Sequence, residues 1–99
     1  MIEEDVIMHI KGRFGSDQFS YEKELVASFL IRYSQQYNTS LYGAFSLNIL
    51  MDTARQWYTE RTNVFKDIRN GFSIMQNSGY FFQNGDIIKL TEHLLSKIH

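Results

Sequence analysis

The sequence predicts a mainly α fold in a single domain over residues 1–99, with four to five helices and one C-terminal β-hairpin. Three observations lead there. Apolar side chains recur at steps of three and four in three long segments, the pattern of amphipathic helices. The pair Asn84-Gly85 separates two short apolar runs, the strongest short-range signal of a hairpin. Proline and cysteine are both absent, so turns fall to glycine and stability falls to packing rather than cross-links.

The first segment, EEDVIMHIKGRFG, fits two periods. Ile2, Val6, Ile7 and Ile10 make a helical face that stops at Gly12, whereas Val6, Met8 and Ile10 alternate as a strand would. Glu3, Glu4 and Asp5 at its start favour the helix, whose N-terminal dipole welcomes negative charge. Ser20 is the expected cap of a second helix with Glu22 and Glu24 in its first turn. Leu25, Val26, Phe29, Leu30, Tyr33 and Tyr37 form its stripe, which places it at the centre of the core.

A loop around Asn38, Thr39 and Gly43 leads to a helix capped by Ser46, with Leu47, Leu50, Met51, Ala54, Trp57 and Tyr58 on one face. The next helix starts after Thr62 or Asn63, buries Val64, Phe65, Ile68, Phe72 and Met75, and ends near Gly79. Gly71 lies inside it at about 1 kcal/mol of helix propensity below Ala, which calls for a bend or a close helix contact. In the hairpin, a type I′ turn centred on Asn84-Gly85 pairs Gln83 with Asp86, Phe82 with Ile87, Phe81 with Ile88 and Tyr80 with Lys89. Alternation then puts Phe81, Ile88 and Leu90 on one face and Tyr80, Phe82, Ile87 and Lys89 on the other. Thr91 is the expected cap of a closing helix that returns Leu94, Leu95 and Ile98 to the core.

Composition narrows the function classes. Hydrophobic residues at 43% support a folded core, and the absence of cysteine removes thiolate metal sites. The apolar runs are far shorter than the roughly twenty residues needed to span a bilayer, and the acidic N-terminus lacks the basic character of a signal peptide. The expected location is therefore cytoplasmic. The net charge is −1, with a gradient: residues 1–30 hold six acids and three bases, residues 61–99 five bases and three acids. His9, His93 and His99 have no metal-ligand spacing, and no phosphate loop or nucleophile elbow occurs, so the expectation is a protein that is not an enzyme and needs no cofactor.

Two binding surfaces remain. From about Asn63 onward, an amphipathic helix, a small-residue stop, the hairpin GYFFQNGDIIKLT and a closing helix resemble the second half of a winged-helix domain. That resemblance implies a DNA-binding regulator in which Lys66, Arg69, Asn70, Ser73, Gln76 and Asn77 face the major groove and Lys89 meets a phosphate. Arg, Asn and Gln suit the task because each makes paired hydrogen bonds to base edges. The helix before it, however, reads as too long for that family's compact helix-turn-helix. The second surface is apolar: Tyr80, Phe82 and Ile87 beside Lys89 would form a protein-docking face if uncovered, or else pack beneath Ile7 and Phe14.

A small, aromatic-rich chain without catalytic groups also resembles the immunity proteins that accompany bacterial toxins. That likeness implies an inhibitor of a cognate toxin, a nuclease. Glu3, Glu4, Asp5 and Asp17 would steer it to a basic cleft while Tyr80, Phe82, Ile87 and Lys89 supply contact. This protein-binding role is the leading expectation, with nucleic-acid binding as the alternative and self-pairing of the hairpin face as a third.

Overall fold

A computed structural model describes residues 12–15 and 17–98. The segment read as helix or strand, with Glu3, Glu4 and Asp5, lies outside the described residues. Within them run α1 (Ser20–Tyr37), β1 (Ala44–Ser46), α2 (Leu47–Trp57), α3 (Thr62–Gln76), β2 (Phe81–Asn84), β3 (Ile87–Leu90) and α4 (Glu92–Ile98). The mainly α class stands. A hairpin on its own does not: β2 and β3 belong to a three-stranded antiparallel sheet in the order β1-β3-β2. β1 lies where the sequence shows no period, three residues being too few to give one; its Phe45 pairs with Ile88.

α1 is the central element. Leu25, Val26, Ala27, Ser28, Phe29 and Leu30 are all buried, so the helix is covered on several sides rather than along one stripe. Ser28 meets this burial by donating its hydroxyl to the Glu24 carbonyl, 2.8 Å away. The expected Ser20 cap is corrected: Ser20 is the first helical residue, and the cap position is Phe19, in left-handed backbone at φ 61° with no side-chain cap. At the other end Asn38 takes the left-handed cap at φ 52°, a conformation Asn tolerates.

α3 packs directly on α1. A Cβ on Gly71 would lie 2.5 Å from Val26 Cγ2 and 2.7 Å from the Glu22 carbonyl oxygen, so the glycine marks a close helix contact. Ile68, Phe72 and Met75 flank that contact in the core, with Phe72 edge-on to Phe29 and stacked on Phe81. No helix among the described residues is long and apolar enough to cross a membrane.

The sheet corrects two details. Asn84 pairs with Ile87, Gln83 with Ile88, Phe82 with Lys89 and Phe81 with Leu90, so the turn holds Gly85 and Asp86 rather than Asn84 and Gly85. Only Gly85 takes positive φ, at 62°, where a type I′ turn needs two such residues. The reason is a tertiary contact. Asp86 Oδ1 accepts from the Asn48 N–H at 2.9 Å, Oδ2 accepts from the Ser46 hydroxyl at 2.5 Å, and its carbonyl accepts from the Leu47 N–H at 2.8 Å. The start of α2 holds Asp86 in the loop. Each partner moves by two positions, so the facial alternation survives: Phe81, Ile88 and Leu90 inward, Phe82, Ile87 and Lys89 outward.

Ser46 caps α2 as expected, its oxygen accepting from the Ile49 N–H at 3.3 Å. Thr91 holds the cap position of α4, its carbonyl accepting from the Leu94 and Leu95 N–H groups at 3.0 and 2.9 Å, but its side chain does not cap the helix. Its hydroxyl donates to the Gly79 carbonyl at 2.8 Å and its N–H to the Tyr80 carbonyl at 3.1 Å, which fastens the exit of α3 to the end of β3.

Candidate functional site

α3 presents one polar stripe to solvent. Lys66, Arg69, Asn70, Ser73 and Asn77 are exposed and recur at helical spacing opposite Ile68, Phe72 and Met75. The side chains of Lys66, Arg69, Asn70 and Ser73 make no hydrogen bond or ion pair to another described residue. Asn77 is turned back onto the Ser73 carbonyl at 3.1 Å. Gln76 leaves the stripe: its amide donates to Gln83 Oε1 at 2.7 Å, and Gln83 in turn donates to the Gly85 carbonyl at 3.0 Å. This relay joins the end of α3 to the hairpin turn.

Arg69 of the stripe and Arg55 of α2 gather on one ring. The Arg69 guanidinium lies 5.7 Å from the Phe65 ring centroid and that of Arg55 lies 5.2 Å from it. Arg55 also reaches Asp52 at 3.0 Å, one turn back on α2. Sequence reasoning passed over Arg55, although the Asp52-Arg55 spacing of three residues signals a helical pair. Lys89 is exposed but sits on the outer face of the sheet, opposite Phe82, and does not belong to the α3 stripe.

The outer sheet face is apolar but smaller than expected. Phe82 is 67% exposed and Ile87 45%, whereas Tyr80 is only 2% exposed. Tyr80 is therefore corrected from surface contact to core residue. Phe14 meets its ring edge-on at 5.8 Å, so the part of the expected cover that lies within the described residues falls on Tyr80 and not on Phe82 or Ile87. His93 stacks on the Tyr80 ring at 4.5 Å, and Lys23 Nζ lies 5.4 Å from its centroid.

Asp17 is exposed and belongs to that cluster. Its Oδ2 accepts the Tyr80 hydroxyl at 3.1 Å and lies 3.6 Å from Lys23 Nζ. The Tyr80 hydrogen bond, aided by the charges of Lys23 and Lys97 and opposed by desolvation, holds the Asp17 carboxyl below the usual carboxylate range. Burial, reinforced by the hydrogen bond and charge of Asp17, pushes the Tyr80 hydroxyl up to about 12. The arrangement anchors the loop before α1 and leaves Asp17 occupied within the molecule.

No group of three metal-ligating side chains occurs among the described residues. Compared with known proteins, the chain matches no family model, no curated protein and no solved structure.

Proposed function

We propose that the chain binds duplex DNA through the exposed face of α3, in the manner of a winged-helix domain. The observation that carries this reading is the exposed stripe Lys66, Arg69, Asn70 and Ser73, without side-chain hydrogen bonds or ion pairs to described residues, which offers phosphate-binding cations beside base-reading amide and hydroxyl groups. The arrangement around it supports the same reading. A helix and the four-residue turn 58–61 precede α3, a two-stranded hairpin follows, and β1 joins that hairpin. The helix before α3 ends at Trp57, close to the expected end at Tyr58, so its length still counts against that family's compact helix-turn-helix.

Charge limits the affinity. Lys66, Arg69 and Arg61 give one copy about three phosphate contacts and a log-log salt slope of roughly −3. The hairpin turn contributes no base, and Asp86 there is engaged with α2. Fluorescence anisotropy with a labelled duplex at about 50 mM salt is expected to show weak binding. Lys66→Ala and Arg69→Ala should each flatten the slope by about 1. Absence of binding at that salt, or binding untouched by both substitutions, overturns the reading.

The outer sheet face favours a second reading, a protein-binding inhibitor of the immunity type. Its observation is the uncovered pair Phe82 and Ile87 beside Lys89, a small apolar patch with a cationic edge. Asp17 is tied to Tyr80 and Lys23, which weakens its candidacy as a steering charge. Recovery of one stoichiometric partner protein from the source cell, lost with Phe82→Ser and Ile87→Thr, supports this reading. A partner retained by both variants overturns that face as its site.

A further inference from the structure

Phe65 is the meeting point of two cations that come from different helices. Its ring is half-buried where α3 packs against α2, and it leans on the core. Arg69, one turn further along α3, holds its guanidinium 5.7 Å from the ring centroid, and Arg55, in the last turn of α2, holds its own at 5.2 Å. Each gains from the negative face of the ring, yet the two like charges repel. Among the described residues one carboxylate answers them. Asp52 Oδ1 lies 3.0 Å from Arg55 Nη1, with the two side chains 70% and 63% exposed, and an ion pair so open to water holds Arg55 only loosely. Asp67, also on α3, makes no ion pair with either arginine, and the exposed Lys66 adds a further positive charge next to Phe65 in the chain. The cluster is therefore short of anions.

We infer that Arg55 and Arg69 form a clamp for one backbone phosphate of a bound duplex, seated at the Phe65 ring, and that Asp52 holds Arg55 until that phosphate displaces it. The inference rests on the duplex reading of α3 and deepens it. The chemistry selects an oxyanion: a phosphodiester takes paired N–H donors from two guanidiniums, where a neutral group would leave their repulsion standing. Position selects the backbone rather than a base edge. Arg55 belongs to α2, outside the α3 stripe, so when α3 lies in the groove Arg55 meets the strand that borders it. The clamp also reassigns Arg69. A guanidinium held by Phe65 and a phosphate is not free to pair with a guanine edge, which leaves base reading to Asn70 and Ser73. With Arg55, one copy makes about four phosphate contacts.

Fluorescence anisotropy with the full chain and two labelled duplexes of unrelated sequence tests the clamp. Arg55→Ala should flatten the log-log salt slope by about 1, with the far-UV circular dichroism unchanged. Arg55→Lys keeps the charge but loses the paired donors, so it should keep the slope and bind about threefold more weakly. Arg55→Ala and Arg69→Ala should each weaken both duplexes equally, the mark of a phosphate contact. Asp52→Asn should tighten binding about threefold in the parent and leave Arg55→Ala unaffected. An unchanged slope in Arg55→Ala while Lys66→Ala flattens it overturns the clamp and leaves the α3 reading in place. A loss in Arg69→Ala confined to one duplex makes Arg69 a base reader and overturns its part in the clamp. An equal gain from Asp52→Asn with and without Arg55 overturns the hold of Asp52 on Arg55. Absence of duplex binding by the parent at about 50 mM salt overturns clamp and reading together.

Discussion

Phe72 and Phe82 carry the same side chain on either side of one turn, yet Phe72 is 2% exposed and Phe82 67%. Phe72 lies on the seam between α1 and α3, where the helices approach so closely that Gly71 has no room for a Cβ. Phe82 lies on a four-residue strand whose alternation sends every second side chain away from the core. A helix can turn most of its apolar stripe toward a neighbour, but a sheet covered on one face cannot. The seam therefore holds the fold together, and the outer face stays exposed.

The seam should be the most sensitive region. Phe72→Ala removes a ring held by Phe29 and Phe81, and its expected cost is about 3–5 kcal/mol in urea unfolding. A loss under about 1 kcal/mol would mean that the seam collapses around the gap and is not tightly packed. Gly71→Ala comes next. In an open helix this change stabilises by about 1 kcal/mol. Here the new methyl meets Val26 Cγ2 and the Glu22 carbonyl oxygen, and the expected net result is a loss of about 2 kcal/mol. Adding Val26→Ala relieves the side-chain clash but not the backbone one, so rescue should be partial.

Away from the seam, the Tyr80-Asp17 contact is smaller in effect and carries a pH signature. Tyr80→Phe should cost about 1 kcal/mol near neutral pH. Because the folded state holds the Tyr80 hydroxyl at about 12, above the ordinary value of 10, the unfolded chain ionises first as pH rises. The stabilisation is complete below pH 10 and is lost between about 10 and 12. Asp17 works in the opposite sense: its lowered pKa gives stability present above the usual carboxylate value and lost as acid protonates it. Chemical denaturation across both windows should show a steeper fall in the parent protein than in Tyr80→Phe. Parallel curves would show that the hydrogen bond does not couple the two groups.

How far the sequence could be read follows from the range of the forces involved. α2 and α3 were legible because their burial repeats every three or four residues, α1 because its apolar residues do although its burial is continuous from Leu25 to Leu30, and Gly71 was legible as a close contact because a helix-interior glycine otherwise weakens the helix. The α3 stripe was legible for the same reason, save that Gln76 turns away to a partner seven residues on. β1 offered no period. The displaced turn depends on Asp86 reaching the start of α2 some 40 residues back, and the burial of Tyr80 depends on Asp17 and Phe14 more than 60 residues away. Nor does spacing along two separate helices reveal that Arg55 and Arg69 meet on one ring.

The smallest expected effect sharpens the comparison most. Phe82→Ser and Ile87→Thr replace exposed apolar groups on the outer face, where Phe82 pairs across the strands with Lys89. Burial contributes little at such positions, so the urea midpoint should stay within about 0.5 kcal/mol of the parent. The change should appear only in association: light scattering at rising concentration, or retention of a bound protein, responds if the outer face is an interface. A loss above about 1 kcal/mol in the monomer would place Phe82 under a covering segment and remove the distinction between seam and face. Unchanged stability with unchanged association would instead leave the two side chains as bare surface, and α3 as the more promising of the two binding surfaces.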